Sequence, residues 1–294
     1  MDCTTNPTLV YRAVSLPQYR HFLDEAVAEE AAAHGGRAVP SLVADRVSVK
    51  IGAQMLQEVP GRVSTEVAAR LSHDTGPTVD KALHLLELYA SLGVDPGRVY
   101  IKIASTWEGI RACEALSKQG IACNMTLLFS FAQAAACADA GAALISPFVG
   151  RILDWHRAQH GGREYAPHED PGVLSVRRIY SYFKRHDYNT TVMAASFRSA
   201  GEVRALAGCD AITVSPALLK ELEAATDPLE WGLWPGLGAA CADERVDLGA
   251  GARAAFDRLH GGDAMAVDKL AEGIEGFAAD QERLEALIEE ALQR

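Results

Sequence analysis

Lys102 interrupts the apolar run Val99-Tyr100-Ile101-Lys102-Ile103-Ala104 with an amine where a buried strand ordinarily carries Val or Ile. Strands of an all-parallel sheet are covered on both faces and read as near-continuous apolar stretches, so a lone internal lysine points into a cleft or barrel. Desolvation favours the neutral amine, which is the form that attacks a ketone to make a Schiff base. The competing reading is a strand-end lysine that snorkels to water. Neighbouring segments separate the two. Side chains alternate faces along a strand, so residues of equal parity stand together. Ser64 pairs in this way with Glu66, Asn124 with Thr126, Ser146 with Phe148, and Ser196 with Arg198. Each segment thus sets polar groups on one face near its C-terminal end, where barrel enzymes assemble their active sites. Buried without partners, such groups would cost about 1–3 kcal/mol apiece, so a shared purpose explains them better than repeated accident.

The elements that position these residues follow from patterning. Apolar runs predict strands at 62–66, 99–104, 122–128, 142–148, 190–197 and 211–215, with a short one near 3–5. Between them, helical periodicity covers 78–91, 106–119, 129–140, 173–186, 199–207 and 216–225. Alternating strand and helix predicts a parallel sheet with helical crossovers. The length of 294 residues and the number of units favour an α/β fold of the (β/α)8 TIM-barrel type in one domain, 1–294. The helical tail, 252–259 and 263–292, is expected to pack outside the barrel. Only about seven strands are visible against the eight of a closed barrel, so one strand is expected to be missing or replaced.

Composition excludes several classes. The formal net charge of −11 repels polyanions, so no nucleic-acid partner is expected. No apolar stretch approaches the roughly 20 residues of a membrane span, and Met1–Pro7 has no signal-peptide pattern, so a cytoplasmic location without membrane partner is expected. The six cysteines form no CxxC pair, which predicts reduced, mostly buried thiols. His156, His160 and His168 match no ligand spacing, so no metal is expected. Gly236-Leu237-Gly238 follows no strand and lacks a third glycine, and reads as a surface loop.

Longer motifs then carry a resemblance. Asp2–Leu9 (DCTTNPTL), Gly61–Leu71 (GRVSTEVAARL), Ile101–Gly109 (IKIASTWEG), Cys123–Gln133 (CNMTLLFSFAQ), Ile145–Trp155 (ISPFVGRILDW), Ala195–Arg198 (ASFR) and Asp263–Asp280 (DAMAVDKLAEGIEGFAAD) together resemble the transaldolases, from the second residue nearly to the end. The resemblance implies that Lys102 forms an imine with a donor ketose, with Glu66 and Thr126 holding a proton-shuttling water. It implies that Asn6, Asn124 and Ser146 bind hydroxyls of a three-carbon fragment. Arg151 and Arg198, with Ser196, would bind the substrate phosphate. The implied reaction moves a dihydroxyacetone unit between sugar phosphates in the pentose phosphate pathway, without metal or organic cofactor; a homodimer is left open. Phe148 supplies no proton beside the imine, where related aldolases that release the unit to water carry a tyrosine.

Two departures accompany the resemblance. The family's upstream strand ends in an aspartate that handles the C4 hydroxyl proton, whereas this sequence starts at Met1-Asp2 and its Asp2 matches a different aspartate. A longer natural chain, a replacement segment, or altered chemistry would each account for this, the last giving a specialised aldolase or a sugar-phosphate-binding protein. Ala194 and Ser199 stand where the family usually has Gly and Asn.

Overall fold

The computed structural model describes residues 1–293. Its sheet has seven parallel strands in chain order: β1 (Cys3–Thr4), β2 (Val63–Glu66), β3 (Val99–Ala104), β4 (Cys123–Leu128), β5 (Leu144–Pro147), β6 (Thr191–Ala194) and β7 (Ala211–Ile212). Helices α1 (Pro7–Val14), α2 (Arg20–Ala33) and α3 (Pro40–Glu58) follow β1, and α4 (Thr75–Ser91), α5 (Trp107–Ser117) and α6 (Phe131–Asp139) follow β2, β3 and β4. Then come α7 (Gly150–Gln159), α8 (Pro171–Arg185), α9 (Ala200–Ala205), α10 (Pro216–Ala224), α11 (Leu237–Ala240), α12 (Arg253–Gly261) and α13 (Ala264–Leu292). The result is a curled α/β sheet of TIM-barrel type, and among the described residues no eighth strand joins β7 back to β1. A cleft of about 530 Å³ runs between those edges, lined by Cys3, Tyr100, Met193, Ile212 and Leu219 among others. No helix among the described residues is long and apolar enough to cross a membrane.

Local chemistry starts the helices where the strands stop. The Thr106 hydroxyl accepts from Gly109 N at the head of α5, while Ser130 with Gln133 and Ser199 with Glu202 form capping boxes on α6 and α9. Each satisfies backbone donors that a helix start leaves free. Gly109 itself packs against the strand before it: a Cβ there would lie 2.2 Å from the Ala104 carbonyl oxygen. Between sheet and helices sits one large core, with Ile101, Ile103, Met125 and Ile145 among residues sealed from water.

The strand expectations hold in position, and the ends differ where turn and cap residues take over. The predicted 190–197 strand ends at Ala194, since Ser196 turns left-handed at φ 61°. Helices α1 to α3 and α7 were not among the predicted patterns. Burial of Asp45 within α3 breaks its apolar stripe, and α7 buries only Gly150, Ile152 and Leu153. The Gly236–Gly238 segment, read as a surface loop, instead begins α11 and packs tightly: a Cβ on Gly238 would meet Arg185 N at 2.8 Å. The tail lies outside the sheet as expected, but across its C-terminal mouth. Met265, Ala266, Leu270 and Phe277 of α13 pack on Leu127, Phe148 and Ala195, and Leu284 and Ile288 pack on Val10, Val14 and Val43.

Because Gly109 admits the end of β3 to α5, Gly109→Ala is expected to destabilise the fold by about 1–3 kcal/mol, the range for overpacking a tight contact. Urea denaturation measures this, and an unchanged midpoint would show that α5 is free to shift.

Candidate active site

The strand register brings Glu66 and Lys102 side by side, β2 against β3. Lys102 Nζ donates to Glu66 Oε2 at 2.9 Å and to the Thr5 carbonyl at 3.1 Å. Their side chains are only 7% and 4% exposed, so the pair is desolvated. Burial pushes the Glu66 carboxyl above its ordinary value, opposed by the charges of Lys102 and Arg151. The Phe277 ring closes over the amine, its centroid 5.8 Å from Nζ.

Asn124 pairs with Lys102 in the register of β3 and β4. Its amide donates to Ser64 Oγ at 3.0 Å, and its carbonyl accepts from Ser146 Oγ at 2.6 Å. These three hydrogen-bonded side chains form a polar layer beside the lysine. Thr126 differs from them, because its hydroxyl is buried and has no hydrogen-bond partner among the described residues. Buried polar atoms are nearly always partnered, so this oxygen marks a place for a water or substrate atom. The register of β4 against β5 slips just after it, between Met125 and Leu128, and Leu127 takes a left-handed φ of 50°. Backbone strain of this kind collects at functional sites.

A cationic rim lies beside this pocket. Arg151, the second residue of α7, stacks over the rings of Phe148 and Phe277 at 5.1 and 5.7 Å. Desolvation, and then repulsion from Arg198, hold its guanidinium below the ordinary arginine value. Arg198 is fixed by Asp154, which accepts from Nη2 at 2.6 Å and from Nε at 3.1 Å. The two loops touch closely: Gly150 N donates to the Ser196 carbonyl at 2.9 Å, and a Cβ on Gly150 would lie 2.5 Å from Arg198 Cγ. Two neighbouring guanidiniums with one carboxylate between them suit an oxyanion such as phosphate.

Of the residues singled out in the sequence, Lys102, Glu66, Asn124 and Ser146 are brought together by register and hydrogen bonds, with Thr126 on the same face of β4, while Arg151 stacks on Phe148 and Arg198 and Ser196 lie on the loop beside Gly150. Asn6 stands apart in role: its Oδ1 caps α1 by accepting from Leu9 N at 2.8 Å, although it lines a small cleft with Thr5 and Glu66. Asp2 accepts from Arg62 N and is not part of the pocket. Sequence reading did not find Phe277, Asp154, Ser64 as a ligand of Asn124, or the Thr5 carbonyl. All four act through contacts far apart in the chain, and Ser64 alone carried a signal, its shared parity with Glu66.

Comparison with known proteins finds extensive similarity along the whole sequence. The family model described as Transaldolase/Fructose-6-phosphate aldolase matches residues 1–288. A protein named Transaldolase from Cellvibrio japonicus (strain Ueda107) is 53% identical over 293 residues, covering 100% of this chain and 91% of the relative. Transaldolase A of Pasteurella multocida (strain Pm70) is 53% identical over 289 residues, covering 98% and 89%. A Transaldolase of Haemophilus influenzae (strain PittEE) is 54% identical with the same coverage.

Removing the Lys102 amine leaves a buried carboxylate without its cation, so Lys102→Met is expected to cost about 3–5 kcal/mol near neutral pH. Glu66 then keeps a folded-state pKa above its unfolded value, so stability is fullest below the unfolded pKa and falls as pH rises through the folded one. The gap to the unmodified protein should therefore narrow toward acidic pH. Urea midpoints across that range test it, and a constant gap would contradict the assigned burial of Glu66.

Proposed function

The chain belongs to the transaldolase/fructose-6-phosphate aldolase family, and from that premise we propose that Lys102 carries a dihydroxyacetone unit as an imine between sugar phosphates. The enzyme is a transferase of the transaldolase type. Its donor is a ketose phosphate, fructose 6-phosphate or sedoheptulose 7-phosphate, and its acceptor an aldose phosphate, erythrose 4-phosphate or glyceraldehyde 3-phosphate. Whole-chain identity of about half favours this over a specialised aldolase or a pure binding protein.

The observation that carries the reading is the sealed Lys102–Glu66 pair beside the orphan Thr126 hydroxyl. Lysine attacks a ketone only as the free amine, so its proton must first go to a neighbour. Glu66 accepts from that amine directly, and burial raises its proton affinity. Attack on the C2 carbonyl gives a carbinolamine, and Glu66 returns the proton to the departing hydroxyl, so that water leaves and a protonated imine remains. A water on the Thr126 hydroxyl is placed to relay this proton. The imine then withdraws the electron pair of the C3–C4 bond as it breaks, while the C4 hydroxyl gives its proton, through the water on Thr126, to Glu66, which is ionised again after the dehydration and returns the proton to the new hydroxyl when the acceptor is attacked. The aldose product leaves, and the resulting enamine attacks the acceptor aldehyde. Hydrolysis reverses the first steps and frees the lysine. The lysine is the electron sink, so the scheme calls for neither metal nor organic cofactor.

The rest of the site suits this traffic. Asn124 and Ser146 offer hydrogen bonds to the hydroxyls of the three-carbon fragment, and Asn6 stands at the neighbouring cleft. Arg151 and Arg198, with Ser196 between the loops, hold the phosphate at the far end of the sugar. Phe148 supplies no proton to the enamine, which favours transfer to an aldehyde over release to water.

Borohydride reduction with fructose 6-phosphate should add the mass of the reduced three-carbon adduct at Lys102. An unmodified Lys102 in a folded sample that consumes the sugar would overturn the imine assignment. Glyceraldehyde 3-phosphate release should depend on added erythrose 4-phosphate. Arg198→Ala should raise KM for fructose 6-phosphate by about 10–100-fold, as expected for a lost charge-assisted phosphate contact, with a smaller effect on kcat.

A further inference from the structure

Two buried acids meet behind the cationic rim. Asp170 caps α8, its Oδ1 accepting from Gly172 N at 2.7 Å and Val173 N at 3.3 Å. Glu202, on α9, turns back to the loop before it, its Oε2 accepting from Arg198 N at 2.6 Å and Ser199 N at 3.3 Å. Both residues are 2% exposed, and their carboxyl groups stand within hydrogen-bonding reach of each other. The second Glu202 oxygen, Oε1, is buried with no partner among the described residues.

We propose that Asp170 and Glu202 share one proton, held on Glu202 Oε1 and donated to the Asp170 carboxylate, and that this bond makes Glu202 the positioning residue for Arg198. Two ionised carboxylates in contact, sealed from water, would repel with no donor between them. One proton removes the repulsion and gives the orphan oxygen a partner. The location of the proton follows from the surroundings. Asp170 faces Arg157 of α7, whose charge favours its ionised form, and it acts in turn on His156 of the same helix. Arg157 is also tied to Glu164 from the following loop. Glu202 faces Asp170 and the backbone donors of Arg198 and Ser199, with no cation of comparable effect. Burial raises the proton affinity of both groups, and the charge of Asp170 raises that of Glu202 further, while the bond from Glu202 lowers that of Asp170.

The consequence reaches the substrate through one peptide. Glu202 holds the Arg198 N–H, Asp154 holds the guanidinium, and Ser196 holds its left-handed turn against Gly150. Gly172 seats the α8 terminus against the same segment, since a Cβ there would lie 2.2 Å from the Val149 carbonyl oxygen. The shared proton thus ties the start of α8 to the loop that aims Arg198. Loss of the proton as pH rises through the raised pKa of the pair would restore the repulsion and loosen that loop. The inference rests on the reading of Arg198 as a phosphate ligand.

Infrared difference spectroscopy of wild type and Glu202→Gln tests the proton without reference to activity. A protonated-carboxyl stretch present in wild type and absent in the variant is expected. Its absence from wild type, or its persistence in the variant, would overturn the shared proton. Kinetics test the positioning. Glutamine keeps an acceptor for the backbone donors and gives Asp170 an N–H, so Glu202→Gln should hold KM for fructose 6-phosphate constant where wild-type KM climbs toward alkaline pH. Glu202→Ala should raise that KM about tenfold with little change in kcat, and leave turnover of unphosphorylated fructose unaffected. An alanine variant that folds with wild-type KM would overturn the positioning role. Should alanine fail to fold, the pH profile of the glutamine variant decides. If wild type transfers no three-carbon unit at all, the infrared band still tests the shared proton, so the two readings fail separately.

Discussion

The contact between Lys102 and Glu66 is the constraint to which the rest of the structure answers. Taking two opposite charges out of water is unfavourable unless each finds its partner in good geometry. A parallel sheet meets that condition through register, since adjacent strands fix Glu66 opposite Lys102 to within a hydrogen bond. Once the pair is sealed, burial raises the proton affinity of the Glu66 carboxyl, which sits in hydrogen-bond contact with the amine. A lysine in solution has no such neighbour and stays protonated. Beside the pair, Ser64, Asn124 and Ser146 hold one another in place by hydrogen bonds, and the Thr126 hydroxyl is left without a partner among the described residues.

The site divides by charge along its length. The inner end balances one cation against one anion and adds neutral donors. The outer end gathers two guanidiniums, Arg151 and Arg198, which repel each other and are offset by Asp154, bonded to Arg198, and by the charge of Glu272 on Arg151. A long substrate with a reactive ketone at one end and a dianion at the other would find its two needs met at opposite ends of the pocket. Most of the overall charge of −11 lies on exposed acids, whose influence on the site is screened beyond about a Debye length, roughly 8–10 Å.

Much of this was legible in the sequence, for identifiable reasons. Lys102 stood out because a buried strand leaves few explanations for an amine, and Glu66, Asn124, Thr126 and Ser146 were found by parity, a local property of strands. Strand positions followed from the same apolar runs. What stayed hidden depends on contacts that no local pattern encodes. Phe277 reads as one more apolar residue of an amphipathic helix, and only the path of α13 over the barrel mouth brings its ring to the amine. Asp154 meets Arg198 across 44 residues of sequence. Asn6 was read as a substrate ligand by family resemblance, while the structure also commits its side-chain oxygen to the start of α1. The helices of residues 7–58 escaped notice because charged residues such as Asp45 and Glu30 are buried in their packing, which blurs the apolar stripe.

Helix α13 resolves a tension left by the sheet. Among the described residues the strands do not close into a ring of hydrogen bonds, so the curl that brings β2 to β5 around the pocket lacks the reinforcement of a continuous ladder. The helix supplies a different tie. One end packs on α7 and the mouth of the sheet, and the other on α1 and α3, beside the β1 edge. Gly273 lets it sit directly on Leu127, next to the strained turn after Thr126. Burial of Phe277 and Leu284 therefore holds the sheet edge to its centre and excludes water from Lys102 in the same stroke. Stability of the curl and desolvation of the amine become one property of one helix, so a change that loosens α13 should alter the chemistry of a lysine it touches only through a ring.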